Sequence, residues 1–211
     1  MSLIVAKFGG TSVANIPAIE NVADKVAREA KNGHQIAVVV SAMAGVTNQL
    51  VEYCYDVSPM YDAREYDAIV SSGEQVTAGL LALALQKRGL TARSWQGWQV
   101  PLKTDGTHAK ARIEGIETTD LKKRLGENEI AVLAGFQGIT DQGRISTLGR
   151  GGSDTTAVAL AAALGADRCD IYTDVKGVYT TDPRIEPKAR MLPEVSYEEM
   201  LEMASVGAKV L

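Results

Sequence analysis

Apolar blocks of strand length alternate along the chain with segments whose apolar residues recur at helical spacing. Leu3 to Phe8, Ile36 to Ser41, Thr91 to Trp95, Ile130 to Ala134 and Asp170 to Thr173 predict strands. Between the first two, Ile19, Val22, Ala23, Val26, Ala27 and Ala30 predict a helix, with Pro17 near its start and Gly33 just past its end. Further helices are predicted over Gln75 to Lys87, Asp154 to Leu164 and Tyr197 to Ala204, the last opened by the capping-box pattern Ser196-x-x-Glu199. Met200, Leu201 and Met203 read as the core side of that helix. This alternation is that of an α/β domain with a mainly parallel sheet covered on both faces. Asp141-Gln142-Gly143, between Ile139-Thr140 and Arg144-Ile145, predicts a hairpin, so the sheet is expected to be mixed there.

Composition narrows the setting. A chain of 211 residues with 45% hydrophobic content can bury a substantial core in one large domain or two small ones. The 22 basic and 26 acidic residues give a net charge of −4, and neither sign gathers into a block, so nucleic acid and anionic membrane surfaces are not expected partners. Cys54 and Cys169 stand outside any metal-binding or disulfide pattern and read as reduced thiols. No basic region precedes the short apolar run at the N-terminus, and no later run approaches the ~20 residues needed to span a bilayer, so a cytoplasmic location is expected. His34 and His108 read as loop or surface residues rather than metal ligands, and Trp95 and Trp98, flanking Gly97, as packing under a loop.

Candidate chemistry gathers in two glycine-rich turns. Gly149-Arg150-Gly151-Gly152-Ser153-Asp154-Thr155-Thr156 leads straight into the apolar run Ala157 to Leu164. Ser153 as N-cap and Asp154 in the first turn would explain both residues without a ligand. A second pair, Lys7-Phe8-Gly9-Gly10-Thr11-Ser12, follows the first strand, where Lys7 reads either as a charged strand end or as a neutraliser of phosphoryl oxygens. Two such turns, with a lysine, an arginine and an aspartate, point to a phosphate held between loops. The spacings match neither a P-loop, a dinucleotide fold nor a protein kinase.

Six motifs in order carry a resemblance: Lys7 to Ser12; Ser41-Ala42-Met43 with Gly45 and Thr47-Asn48; Ser72-Gly73-Glu74; Gly149 to Asp154; Tyr172 to Arg184; and Gly207-Ala208-Lys209-Val210-Leu211. Together they resemble the aspartate kinases of the amino acid kinase family over essentially the whole chain. The resemblance implies a three-layer α/β/α sandwich with a mainly parallel central sheet, residues 1–211 being the catalytic domain, and ATP-dependent phosphorylation of the side-chain carboxylate of L-aspartate. Magnesium would be bound with the nucleotide rather than by protein ligands. By resemblance Lys7 and Asp154 are the catalytic pair, Asp154 orienting the cationic groups around the phosphates. Lys7, Phe8, Gly9, Gly10, Thr173, Asp174, Tyr179, Asp182, Arg184 and Lys209 form the ATP side. An ordinary hairpin over Val175 to Thr180 and a surface role for Lys209 remain open readings.

Free aspartate carries an ammonium and two carboxylates, so its site needs an anion and a bidentate cation. Glu74 and Arg150 hold the corresponding family positions, with Ser41, Thr47 and Ser153 as supporting donors. Glu74 has a second reading as a helix-start carboxylate. An N-acetylated substrate, lacking the ammonium, would leave Glu74 unpaired, which disfavours the acetylglutamate kinase branch. The apolar end at Leu211 falls where a further strand or turn is expected, so the sequence reads as a catalytic domain cut short, without the family's small regulatory domains; a homo-oligomer is left open. Lysine, threonine and methionine biosynthesis is the pathway the resemblance implies. The competing class is a catalytically idle amino-acid-binding or partner module of the same fold.

Overall fold

Period-two alternation along the strands sorts the core into two layers. The computed structural model describes residues 2–175, 177–183 and 185–205. They fall in two units, Met1–Tyr172 and Thr173–Leu211. In chain order the first unit comprises β1 (Leu3–Phe8), a 3-10 turn (Gly10–Val13), α1 (Ile16–Lys31), β2 (Gln35–Val40), α2 (Val46–Val57), α3 (Ala63–Val70), α4 (Ser72–Gln86), β3 (Ala92–Trp95), β4 (Leu102–Thr104), β5 (Ile113–Ile116), α5 (Thr119–Gly126), β6 (Ile130–Ala134), β7 (Gln137–Ile139), β8 (Ile145–Thr147), α6 (Gly152–Leu164) and β9 (Arg168–Tyr172).

Five strands in the order β3-β6-β2-β1-β9, every neighbouring pair parallel, make the central sheet. Ala6 and Phe8 of β1 with Ile36, Val38 and Val40 of β2 face α1 and α4, where Ile19, Val22, Leu81 and Leu85 complete one core. Val5, Ala37, Val39 and Leu133 turn the other way, toward Leu121 and Leu125 of α5 and Ala157, Leu160 and Leu164 of α6. Central strands buried on both faces read as continuous apolar runs, which is why they stand out in the sequence. Parallel pairing also sends the carboxyl ends of β1, β2, β6 and β9 to one edge, and functional groups collect at that edge.

The predicted hairpin forms between β7 and β8, but outside the central sheet. It belongs to a separate mixed sheet of four strands, β5-β4-β7-β8. The expectation of a mixed central sheet therefore fails, because β7 is separated from β6 by a break at Gly135 and Phe136, the latter in the left-handed region at φ 70°. α2, α3 and α5 were not legible. α5 rests on just two buried apolar residues, Leu121 and Leu125, and α2 buries only Cys54. α4 begins at Ser72 rather than Gln75, so Glu74 lies in its first turn.

Ala63–Gln86, which spans α3 and α4, is long and apolar enough by length and composition alone to cross a membrane, although Arg64, Glu65, Asp67 and Glu74 interrupt it as an apolar run. Its hydropathy comes from an Ala/Leu series whose inward members, Ala78, Leu81 and Leu85, are fully buried in the protein core.

The second unit has its own local order. Val178 and Thr180 bond to Leu192 and Arg190 across an antiparallel bridge between Tyr179 and Met191. α7 (Tyr197–Ser205) carries the predicted capping box: Ser196 N donates to Glu199 Oε2 at 2.8 Å, and Glu199 N to Ser196 Oγ at 3.2 Å. Leu201 is exposed rather than core.

Because Leu81 is sealed between α4 and the sheet, Leu81→Ala should lower the unfolding free energy by about 2–5 kcal/mol. Leu83→Ala, on the exposed side of the same helix, should change it by less than about 0.5 kcal/mol. Urea denaturation of the two variants checks the assignment of the buried face.

Candidate active site

Lys7 stands two residues after Val5 and shares its face, so its side chain points to the α6 side of the sheet rather than to solvent. Only 7% of the residue is exposed. α6 starts beside it, and Asp154 in its first turn brings Oδ1 to 2.7 Å from Lys7 Nζ. The contact has the distance of an ion pair without the angles of a hydrogen bond, so Oδ1 keeps its accepting capacity. A buried ammonium without a counter-charge would cost several kcal/mol, and this pairing offsets that cost.

The cap of α6 is not Ser153. Gly151 takes that position with φ 76°, a conformation that favours glycine, and Ser153 is buried inside the first turn. Its side chain is thereby freed from capping. The amides of Asp154 and Thr155 both return to Gly151 O, at 3.0 and 3.1 Å.

A cleft of about 330 Å³ opens at this edge, lined by Gly10, Ser41 to Gly45, Thr47, Glu74, Phe136 and Gly149 to Asp154. The structure thus brings Ser41, Thr47, Glu74, Arg150 and Ser153 into one cavity with Gly10 and Asp154. Ser41 follows β2 and its amide donates to Phe8 O at 3.1 Å, while Thr47 sits in the first turn of α2. Arg150 is exposed, with no ion-pair partner among the described residues.

Glu74 is the electrostatic anomaly of the cleft. It is 3% exposed; Oε1 accepts from Ala42 N at 3.0 Å, and Oε2 is buried without a hydrogen-bond partner among the described residues. Burial pushes its carboxyl up from 4.5 to about 7, against the opposing pull of the Ala42 amide. The residue stands in the first turn of α4, as its helix-start reading has it, and it is among those that line the cleft.

The ATP-side residues are placed less uniformly. Phe8 is 1% exposed and stacks on Tyr172 with centroids 4.5 Å apart, so its side chain belongs to the core. The Gly9 amide donates to Tyr172 O at 3.3 Å, leaving Gly10 as the member of the pair that lines the cleft. Thr173, Asp174, Tyr179 and Asp182 lie in the second unit, Thr173 and Asp174 exposed and Tyr179 and Asp182 half-buried. Arg184 and Lys209 lie outside the described residues. Among the described residues no three His, Cys, Asp or Glu side chains gather to hold a metal ion. A divalent ion bound through substrate phosphates and water needs no such cage.

Sequence reasoning missed Phe136, which lines the cleft from a strained left-handed conformation, and the Ala42 amide that holds Glu74. His108 does lie in a loop, but its Nδ1 is 2.6 Å from the fully buried Asp67, a contact the sequence did not indicate. A polar residue in a polar stretch carries no signal for a buried partner forty residues away.

Residues 2–211 match the model of the amino acid kinase family. The chain is similar to the aspartate kinase of Pseudomonas putida, 56% identical across 100% of this chain and 51% of that protein. It is likewise similar to the aspartokinase of Rickettsia conorii, at 55% identity across 100% and 53%. The solved structure of E. coli aspartokinase III in complex with aspartate and ADP is 31% identical with a TM-score of 0.84, covering 96% of this chain and 56% of that one. The chain spans about half the length of the curated relatives it matches.

Glu74 makes stability depend on pH with a definite sign. Its folded-state value lies above the unfolded one, so its contribution is fully present below about 4.5 and is lost as pH rises through about 7. Glu74→Gln removes that loss. The variant should gain on the parent steadily from pH 4.5 to 7, by up to about 3 kcal/mol, and hold the gain above. Urea midpoints across this range check it; parallel curves for the two proteins would contradict the buried-carboxylate assignment.

Proposed function

The chain belongs to the amino acid kinase family, and from that premise we propose that residues 1–211 form a catalytic domain that transfers the γ-phosphoryl group of ATP to the side-chain carboxylate of L-aspartate, giving 4-phospho-L-aspartate. The observation that carries the substrate is Glu74, which lines the same cleft as the exposed Arg150 and whose buried Oε2 has no hydrogen-bond partner among the described residues. An ammonium satisfies the first and an α-carboxylate the second, through two parallel hydrogen bonds. Ser41, Thr47 and Ser153 add donors along the cleft wall. The similarity to aspartate kinases, one of them solved with aspartate and ADP, supports the same reading.

In the transfer a carboxylate oxygen of aspartate bonds to the γ-phosphorus as the bond from phosphorus to the β,γ-bridging oxygen breaks, and ADP departs with that electron pair. No base is required, because the attacking carboxylate is already ionised at neutral pH. Lys7 neutralises charge on the transferring group, and Asp154 holds the ammonium in place from α6. The Gly10 backbone admits close approach. Magnesium, when bound with the nucleotide, would neutralise phosphate charge. Roles for Phe8 and Gly9 are limited to the backbone, and those for Thr173, Asp174, Tyr179, Asp182, Arg184 and Lys209 toward ATP rest on the resemblance. A cytoplasmic enzyme serving lysine, threonine and methionine biosynthesis completes the proposal. A catalytically idle binding module is disfavoured, since it gives no use to a lysine buried beside Asp154, a residue of the cleft wall.

Purified protein supplied with ATP, magnesium and L-aspartate should form an acyl phosphate that hydroxylamine traps as the hydroxamate. Lys7→Ala should lower turnover by about a hundredfold, near 3 kcal/mol, with aspartate affinity nearly unchanged. Hydroxamate from glutamate or acetylglutamate but none from aspartate would defeat the substrate assignment, and unchanged turnover with weaker aspartate binding would defeat the role of Lys7.

A further inference from the structure

Asp67, on α3, is 0% exposed and does not line the cleft, yet both its oxygens are fully engaged. Thr147 Oγ1 donates to Oδ1 at 2.6 Å, His108 Nδ1 lies 2.6 Å from Oδ2, and the Ala109 amide donates to both oxygens at 3.1 Å. A buried carboxylate is costly unless its donors are held for it, and these come from two separate segments, the loop before β5 and the end of β8. Ala109 has φ 65°, a left-handed conformation that a non-glycine residue keeps only where its surroundings impose it.

The two segments that Asp67 ties together are the walls of the glycine loop. The Ala111 amide donates to Thr147 O at 2.8 Å, and Leu148 N to Phe136 O at 2.9 Å, so the chain entering the loop is fixed on both sides. At Gly149, with φ 78°, a Cβ would stand 3.3 Å from Ala109 O and 3.6 Å from Lys110 Cα, so the backbone held by Asp67 lies directly against it. Gly152 N then returns to Gly149 O at 3.1 Å, with Arg150 between them.

We propose that Asp67, acting with His108 through the Ala109 and Thr147 contacts, is a positioning residue for the substrate side of the cleft: it fixes the loop Gly149 to Gly152 and thereby the placement of Arg150 against the substrate α-carboxylate. The substrate part of this inference rests on the proposed function. The coupling of Asp67 to the loop does not.

The test compares His108→Leu, which removes the ring donor, with His108→Asn, whose side-chain amide can donate in place of Nδ1. His108→Leu should raise the dissociation constant for L-aspartate about tenfold, leave that for ADP unchanged, and speed amide hydrogen exchange at Ala109 to Ala111 and Leu148 to Gly152. His108→Asn should restore all three. Thr147→Val, which removes a second donor at nearly constant volume, should reproduce the loss if His108→Leu does not fold. Wild-type aspartate affinity in a folded His108→Leu protein, or equal losses of aspartate and ADP binding with no rescue by asparagine, would overturn the proposal. If the parent binds no aspartate, the proposed function fails instead, and unchanged exchange of the loop in both donor-removing variants would separately refute the coupling.

Discussion

Lys7 is the penultimate residue of a strand whose other positions are apolar, and the packing that buries Val5 and Phe8 carries its ammonium out of water with them. Such a charge is tolerable only with a counter-charge within reach, and Asp154 supplies it at 2.7 Å from the start of α6. The pairing constrains the architecture around it. β1 and α6 must meet at the carboxyl edge of the sheet, and the helix must start without a side-chain cap, so that a left-handed glycine turns the chain and Asp154 stays free to face the lysine. The pair keeps a positive charge, screened from solvent, beside the first turn of α6.

Glu74 completes the electrostatics from a different direction. Its burial against the Ala42 amide leaves one oxygen unsatisfied, an arrangement that costs stability in the free protein and is relieved by a cationic ligand. Across the cleft, Arg150 projects from a loop of glycines, where positive φ at Gly149 and Gly151 permits a tight path but supplies no rigidity of its own. The rigidity comes from behind the loop, through Asp67 and the two segments it joins. A site able to discriminate charges a few ångströms apart needs both parts: polar groups exposed to the ligand, and buried ones that keep them in place.

The parallel core was legible because its strands are buried on both faces. Leu3 to Phe8 and Ile130 to Ala134 appear in the sequence with the same bounds as in the structure. The capping box at Ser196 and Glu199 was legible because it is a local interaction. The second sheet was not, since β4, β7 and β8 have three residues each and their pairing is fixed by contacts distant in sequence. The cleft followed a similar division. Glu74, Arg150 and Asp154, which line the cleft, and Lys7, which pairs with Asp154, all stand in motifs that the sequence displays. Ser153 as cap was misread because helix register decides it, and Gly151 takes that position. Asp67 gave no sign at all: one aspartate in the polar start of a helix looks solvated until the fold brings His108 and Thr147 to it.

Proton release on aspartate binding tests the cleft's charge logic most directly. Near pH 6 a Glu74 carboxyl displaced to about 7 is mostly protonated in the free protein, and an arriving ammonium should force it to ionise. Calorimetric titration with L-aspartate in buffers of different ionisation enthalpy should therefore show nearly one proton released per aspartate bound at pH 6, falling toward zero by pH 8, and none in Glu74→Gln. Binding without proton release, or release that survives Glu74→Gln, would show that the ammonium is held elsewhere.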